Sequence, residues 1–272
     1  MFECVINISE GRDTNVLHQL ADASGSSLRD VHADQYHHRS VFTLINDAHD
    51  ILRDVKSLIT AAYDRLDLTT HDGVHPRFGV VDVVPFVALE PSGQSDATAL
   101  RDEMASWIAT TFNVPVFFYG PLGDGTSRSL PEVRRGAFTS IAPDAGPSSP
   151  SSRLGCVALG VRPILVAWNI WLEHVSMSDA RLMAGAVRSG AVRSLAFAVG
   201  GFVQVSCNVI DTHAVKLSAI YDQVETMLAG EGRLDHCELV GLLPTSMLEG
   251  EDPSRWEELG ISRDLTIESR IK

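Results

Sequence analysis

The segment His71-Asp-Gly-Val-His75-Pro-Arg77 crowds two imidazoles and a guanidinium into seven residues. A neutral imidazole takes or gives a proton near physiological pH, and a neighbouring arginine can hold a carboxylate or oxyanion. Two histidines at i and i+4 would share a helix face, as in zinc proteases. Gly73 and Pro76 oppose a helix here, and Pro76 pushes His75 towards extended geometry, so a loop is expected. Histidines that merely hold the loop together by hydrogen bonds would explain the same residues.

Three further segments carry candidate chemistry. Asp30-Val-His32-Ala-Asp-Gln-Tyr-His37-His38-Arg39-Ser40 packs more ionisable groups into a strand connection than a hairpin needs, although a solvated polar turn accounts for them too. With His71 and His75 these segments hold five histidines, which raises a metal site. The spacing matches no standard ligand motif and no cysteine joins it, so no metal ligand is assigned. Glu3-Cys-Val-Ile-Asn7-Ile-Ser9-Glu10-Gly11 ends a strand with polar side chains that could face a cleft or cap the next helix. Gly160-Val-Arg162-Pro-Ile-Leu-Val-Ala-Trp168-Asn169 has a glycine for close approach, an arginine and a Trp, which suits a flat aromatic ligand. A core strand with one buried Trp is the simpler reading of these residues alone. Gly120-Pro-Leu-Gly123-Asp-Gly125 lacks the lysine of a phosphate loop, and there is neither a dinucleotide fingerprint nor a nucleophile elbow.

Hydrophobic periodicity supplies the elements that must position these groups. Strands are expected at Cys4–Ile8, Ser27–Asp34, Arg39–Asn46 and Val80–Leu89, with helices at Asn15–Ala23 (Asp13 as N-cap) and Asp47–Leu66. The order βαββαβ is the ferredoxin-like pattern. A helix at Ala97–Phe112, a strand at Val114–Tyr119 and a short helix near Leu130–Ala137 follow. The Pro-, Gly- and Ser-rich stretch Ala142–Ser152 reads as a linker. Beyond it, an apolar strand pair at Cys156–Leu159 and Ile164–Ile170 opens a second βαββαβ unit. That unit has helices at Ser178–Arg188 and Ala214–Leu228, and strands at Leu195–Val199, Val203–Ile210 and Glu238–Leu243. The expectation is an α+β protein of two ferredoxin-like subdomains, 1–150 and 151–272, forming a cleft for a ligand.

Bulk properties narrow the class. The 272 residues are 44% apolar and 21% charged with a formal net charge of −13, which argues against a nucleic-acid-coating surface. Cys4, Cys156, Cys207 and Cys237 are widely separated, so reduced thiols in a cytoplasmic protein are expected. No signal peptide is expected at Met1-Phe-Glu-Cys-Val, and the apolar stretch from Gly155 to Leu172 is too short and mixed for a membrane span.

Taken together, the motifs resemble the formiminotransferase domain family. The matching pieces are Glu3-Cys-Val-x-Asn7-x-Ser9-Glu10-Gly11, Arg39-x-Val-x-Thr43, His71-x-Gly73-x-His75-Pro-Arg77-x-Gly79-x-x-Asp82-Val and Gly146-Pro-Ser-Ser149. Gly160-x-Arg162 through Asn169 and Gln204-Val-Ser-x-Asn208 add to them. The resemblance implies two ferredoxin-like subdomains enclosing a folate cleft, usually in a homodimer. It implies transfer of a formimino group from N-formimino-glutamate to tetrahydrofolate as co-substrate. That reaction needs a base to take the proton from the folate N5 and an acid to protonate the departing amino-acid nitrogen, and one histidine can do both in turn. The family's catalytic histidine falls on His75. Substrate-binding positions fall on Asn7, His32, His38, Arg39, His71 and Arg77. Folate-binding positions fall on Gly160, Arg162, Trp168, Asn169, Gln204 and Asn208. The chain departs from the family pattern at His32 (an Asp), His38 (an Asn), Pro163 (a Lys) and Ile6 (a Pro). These departures leave open a different donor or acceptor. They also leave open a lyase, isomerase or hydrolase chemistry without folate, a metal-dependent one included.

Overall fold

The computed structural model describes residues 1–74 and 76–271 and divides the chain into two compact units, Met1–Pro163 and Ile164–Lys272. In the first, β1 (Phe2–Ile8), α1 (Thr14–Ala23), β2 (Leu28–Asp34), β3 (Arg39–Asn46), α2 (Ala48–Arg65) and β4 (Val81–Ala88) form the expected βαββαβ order. Asp13 caps α1 by accepting from the Asn15 and Val16 amides, and Asp47 caps α2 in the same way. Then come α3 (Gln94–Phe112), β5 (Val116–Pro121), β6 (Ser127–Arg128), α4 (Leu130–Gly136) and β7 (Val157–Val161). The sheet order is β2-β3-β1-β4-β7-β5-β6, with β7 parallel to both β4 and β5.

Alternation along each strand sorts the side chains. Cys4, Ile6, Ile8, Phe42, Leu44, Val84 and Phe86 meet Ile51, Val55, Leu58 and Ile59 of α2 in one apolar cluster. Burying each large side chain of this kind contributes about 1.5–3 kcal/mol. The same period of two consigns Glu3, Asn7, His32, Arg39 and Thr43 to the opposite face, referred to below as the open face although Glu3 and Thr43 on it are buried; Asp82, of the same parity as Val84 and Phe86, reaches it through the register shift between Val81 and Val83. At one end of that face a second cluster forms from Val83, Phe117, Tyr119, Val133, Cys156 and Ala158.

The second unit repeats the plan. Its elements are β8 (Val166–Glu173), α5 (Met177–Ala186), β9 (Val192–Val199), β10 (Phe202–Val209), α6 (Leu217–Thr226) and β11 (Arg233–Val240), with sheet order β11-β8-β10-β9. Two short helices, α7 (Thr245–Glu249) and α8 (Ile267–Arg270), close the chain. Among the described residues no helix is long and apolar enough to cross a membrane.

The structure corrects the expected boundary. Residues 142–152 are not a linker. The Val116 amide donates to the Ala145 carbonyl, and Ser151 and Gly155 exchange backbone bonds, so this stretch belongs to the first unit. It carries the chain from α4 into β7. Nor do Cys156–Leu159 and Ile164–Ile170 form a strand pair, because β7 lies between β4 and β5. A Pro/Gly/Ser-rich composition excludes regular structure, but a crossover loop shares it with a linker. The units therefore divide at Pro163/Ile164 rather than at 150/151.

Candidate active site

The densest polar arrangement lies on the open face of the first unit. The Asp82 carboxylate is completely buried and accepts three charge-assisted or short hydrogen bonds. Arg39 Nη1 donates to Oδ2 at 2.5 Å, Arg134 Nη2 to Oδ2 at 2.6 Å, and the Phe78 amide to Oδ1 at 2.6 Å. Arg39 Nε also donates to Asn7 Oδ1 at 3.0 Å. Burial alone would raise the Asp82 pKa, but Arg39 and Arg134 outweigh it and hold the carboxyl below its ordinary range. Burial lowers the pKa of Arg39, opposed by Asp82. This network ties β1, β3, β4, α4 and the end of the histidine loop to one carboxylate.

That loop is fastened to the β2–β3 turn. The His38 and His71 rings stack with centroids 4.0 Å apart, and His38 adopts φ 50, in the left-handed region. His71 Nε2 lies 2.8 Å from the His38 carbonyl, which makes it the protonated nitrogen of the neutral ring. Burial holds the His71 imidazole below its ordinary pKa, against that carbonyl contact. His38 Nδ1 donates to the Asp72 carbonyl at 2.6 Å, and its Nε2 stands 3.3 Å from Glu10 Oε1. Arg12 bridges the same elements, reaching Asp72 at 2.7 Å and the Gln35 carbonyl at 2.8 Å. Gly73 is required for this closeness, since a Cβ there would come within 2.5 Å of the His37 carbonyl oxygen. The residues flanking His75 are held as well, Val74 by the Tyr36 carbonyl and Phe78 by Asp82.

The predicted substrate residues thus separate into two groups. Asn7, His32 and Arg39 share the open face, with His32 half-buried on β2 opposite Val41. His38, His71 and Arg77 belong to the histidine loop and the turn it is fastened to. Arg77 donates to the carbonyls of Gly73 at 3.2 Å and His71 at 2.9 Å within its own loop. His75 lies outside the described residues. Among the described residues no group of three or more His, Cys, Asp or Glu is arranged to hold a metal ion.

The other end of the open face lies four residues back along β1, about 13 Å by strand rise. Here Glu3, only 2% exposed, has its pKa raised to about 7 by burial, partly offset by Arg162. Arg162 is half-buried, bonds the Pro163 carbonyl at 2.9 Å, and lies beside Tyr119. Gly160 does make room for an aromatic ring, but the ring is Tyr119. A Cβ on Gly160 would stand 2.3 Å from that ring, so the space expected for a ligand is filled by the protein itself.

The remaining predicted residues belong to the second unit. Trp168 is a correction: it is fully buried in the core, its indole N–H donating to the Leu259 carbonyl at 2.8 Å. Consecutive strand residues point to opposite faces, so Trp168 and Asn169 could not both line one site. Asn169, Gln204 and Asn208 do share the face away from the core, where Asn169 is opposite Ser206 and Gln204 is opposite Trp171. Trp171 is the aromatic residue that sequence reasoning missed, and a count of two from Asn169 finds it. It stacks on His236 with centroids 5.3 Å apart and donates to Glu238 Oε2 at 3.1 Å, as Asn169 does. Asp82 and Arg134 were not assigned roles either. Asp82 stands in the matched motif, but its pairing with Arg39 and Arg134 has no local signature, because they lie 43 and 52 residues away.

Comparison with known proteins gives the family. Residues 1–162 match the family model for the formiminotransferase domain, N-terminal subdomain. The chain is 30% identical to a glutamate formimidoyltransferase of Thermoplasma acidophilum, covering 91% of this chain and 89% of that one. It is 29% identical to one of Streptococcus pyogenes over 90% of each chain. A formimidoyltransferase-cyclodeaminase of Sus scrofa is 28% identical over 91% of this chain, which spans 51% of that longer protein. The chain belongs to the formiminotransferase family and is an enzyme of that kind.

Proposed function

We propose that this enzyme moves a formimino group from N-formimino-glutamate, or a related amino-acid amidine, to tetrahydrofolate, with His75 as acid and base. One observation carries the reading. Asp82 holds Arg39 beside Asn7 and also fixes the Phe78 amide, so an arginine-rich site and the loop bearing His75 share one anchor. An anionic donor would bind at the arginines. The bound folate would supply a nucleophilic N5. His75 would take the proton from N5 and deliver it to the departing nitrogen, a transfer typically worth about 10²–10⁴-fold. Holding the two substrates together supplies the larger remainder. In the second unit, Trp171, Asn169, Gln204 and Glu238 group an aromatic ring with amides and a carboxylate, the kinds of group a flat hydrogen-bonding ring system would need, with Trp171 and Asn169 7% exposed and Gln204 1%. The family resemblance supports a homodimer at work on small molecules in the cytoplasm.

The test is turnover with both substrates, followed for the wild type and His75→Ala. The variant is expected to lose about 10²-fold or more in kcat with an unchanged melting temperature. Retained turnover would remove His75 from the mechanism. Calorimetry with tetrahydrofolate alone separates this reading from a folate-free chemistry on the same fold.

A further inference from the structure

We infer that His38 is a positioning residue for the loop that carries His75, and that it fastens this loop as an imidazolium held between the Glu10 carboxylate and the Asp72 carbonyl. Its bearing on turnover rests on the acid–base role proposed for His75; the fastening itself does not.

The protonation state follows from what the two ring nitrogens face. Nδ1 stands 2.6 Å from the Asp72 carbonyl oxygen, which can only accept, so Nδ1 carries a proton. Nε2 stands 3.3 Å from Glu10 Oε1. That oxygen already accepts the amides of Arg12 at 2.7 Å and Asp13 at 3.0 Å, so it is an acceptor here and not a hydroxyl. A neutral ring protonated at Nδ1 would turn its Nε2 lone pair towards this oxygen. A ring protonated at both nitrogens satisfies both contacts. Its charge then meets a counter-ion where the two side chains are only 13% and 11% exposed.

The other charged groups around the ring leave that part to Glu10. Asp72 Oδ1 lies 3.7 Å from Nδ1, but its side chain is 85% exposed and is bonded by Arg12 at 2.7 Å. His71 stacks on His38 and stays neutral, because burial holds its pKa down and the charges of His38 and Arg77 add to this. Asp34 and His37, in the same turn, face each other at 3.9 Å. Glu10 follows β1, His38 lies in the β2–β3 turn and Asp72 lies in the histidine loop, so one ring ties three segments together. Losing the second proton keeps the bond to Asp72 and turns a lone pair on Glu10. The fastening is therefore complete at low pH and weakens as pH rises through the titration of His38.

The test uses the whole chain. Proton–nitrogen NMR spectra of the imidazole side chains follow both His38 nitrogens with pH, assigned by their absence in His38→Asn. Asparagine tolerates the left-handed backbone and keeps a donor, but removes the charge. Amide hydrogen exchange reads the loop at Val74, whose amide bonds the Tyr36 carbonyl of the turn. Protection there, relative to a free peptide at the same pH, is expected to fall about tenfold as His38 loses its second proton. His38→Asn is expected to show the lower protection at every pH. In turnover it should lower kcat about tenfold with both KM values unchanged, and flatten the alkaline fall in kcat of the wild type. Glu10→Gln keeps the amide-accepting oxygen and removes the counter-ion. It serves if the Asn variant does not fold, and should lose the second ring proton at lower pH than the wild type. A ring protonated at one nitrogen throughout, or Val74 protection indifferent to the His38 proton, would overturn the inference. Protection governed by His38 without formimino transfer in the wild type would instead refute the proposed reaction and leave the fastening in place. Transfer whose kcat and pH profile are untouched by His38→Asn would refute the positioning role and leave the reaction standing.

Discussion

The two units share one topology and differ in what they place on the sheet face turned away from its two helices. Each packs two helices of a βαββαβ plan on one side of an antiparallel sheet. The first unit extends that sheet with three more strands and lines its open face with charge: Glu3, Arg39, Asp82, Arg134 and Arg162. The corresponding face of the second unit carries Asn169, Trp171, Gln204 and Asn208, with Glu238 held by an amide and an indole. A fold of this kind supplies a rigid platform, and every second residue of its strands is released from core duty. Charge on such a platform needs a built network to support it, as the three donors around Asp82 do. Neutral amides and aromatic rings need far less.

The comparison can be broken most directly at its two extremes. Asp82→Ala would leave two poorly solvated arginines without their counter-ion and is expected to cost about 3–5 kcal/mol by denaturant unfolding. A loss near zero would mean that the charged face is not structural. In the second unit, Trp168→Ala should cost a similar 3–5 kcal/mol, and Trp171→Ala should weaken binding of tetrahydrofolate. Unchanged tetrahydrofolate binding by Trp171→Ala would remove that residue from the proposed site.

A smaller effect separates the two acids of the first unit by the sign of their pH dependence. Asp82 has a lowered pKa, so its contribution is present at neutral pH and is lost as pH falls through the folded value. Glu3 is the reverse. Its pKa rises from 4.5 to about 7, so the folded state binds the extra proton between those values and stability falls as pH rises through them. The full span corresponds to about 3 kcal/mol. Glu3→Gln should therefore be more stable than wild type at pH 8 and lose most of that advantage at pH 5, read from melting temperatures. A pH-independent difference would show that Glu3 does not titrate in this range. Smallest is Gly160→Ala, where the new methyl must displace the Tyr119 ring; a cost of about 1–3 kcal/mol is expected. No change in stability would indicate that the ring moves aside freely.

Much of this was legible along the chain. The apolar spacing of Ile51, Val55, Leu58 and Ile59 marks α2, and Asp13 stands where a helix cap belongs, whereas Asp47, expected as the first helical residue, is the cap of α2. The two histidine-bearing segments stood out by residue type, and the stacked His38 and His71 bring them together. The misreadings came from long-range placement. Ala142–Ser152 looked like a linker because composition reports the lack of regular structure and not the destination of the chain. Trp168 was taken for a ligand contact although its neighbour Asn169 must point the other way.

Local sequence, through hydrophobic period and capping, determined the elements and the ferredoxin-like order, and short motifs carried the family resemblance, because these depend on residues a few positions apart. Tertiary structure decided that β7 joins the first sheet and that Tyr119 occupies the space over Gly160. It also decided that Arg134 converges with Arg39 on Asp82. Those outcomes depend on which strands pair and on where buried charges find partners, and such partners stand tens of residues apart with no local spacing to announce them.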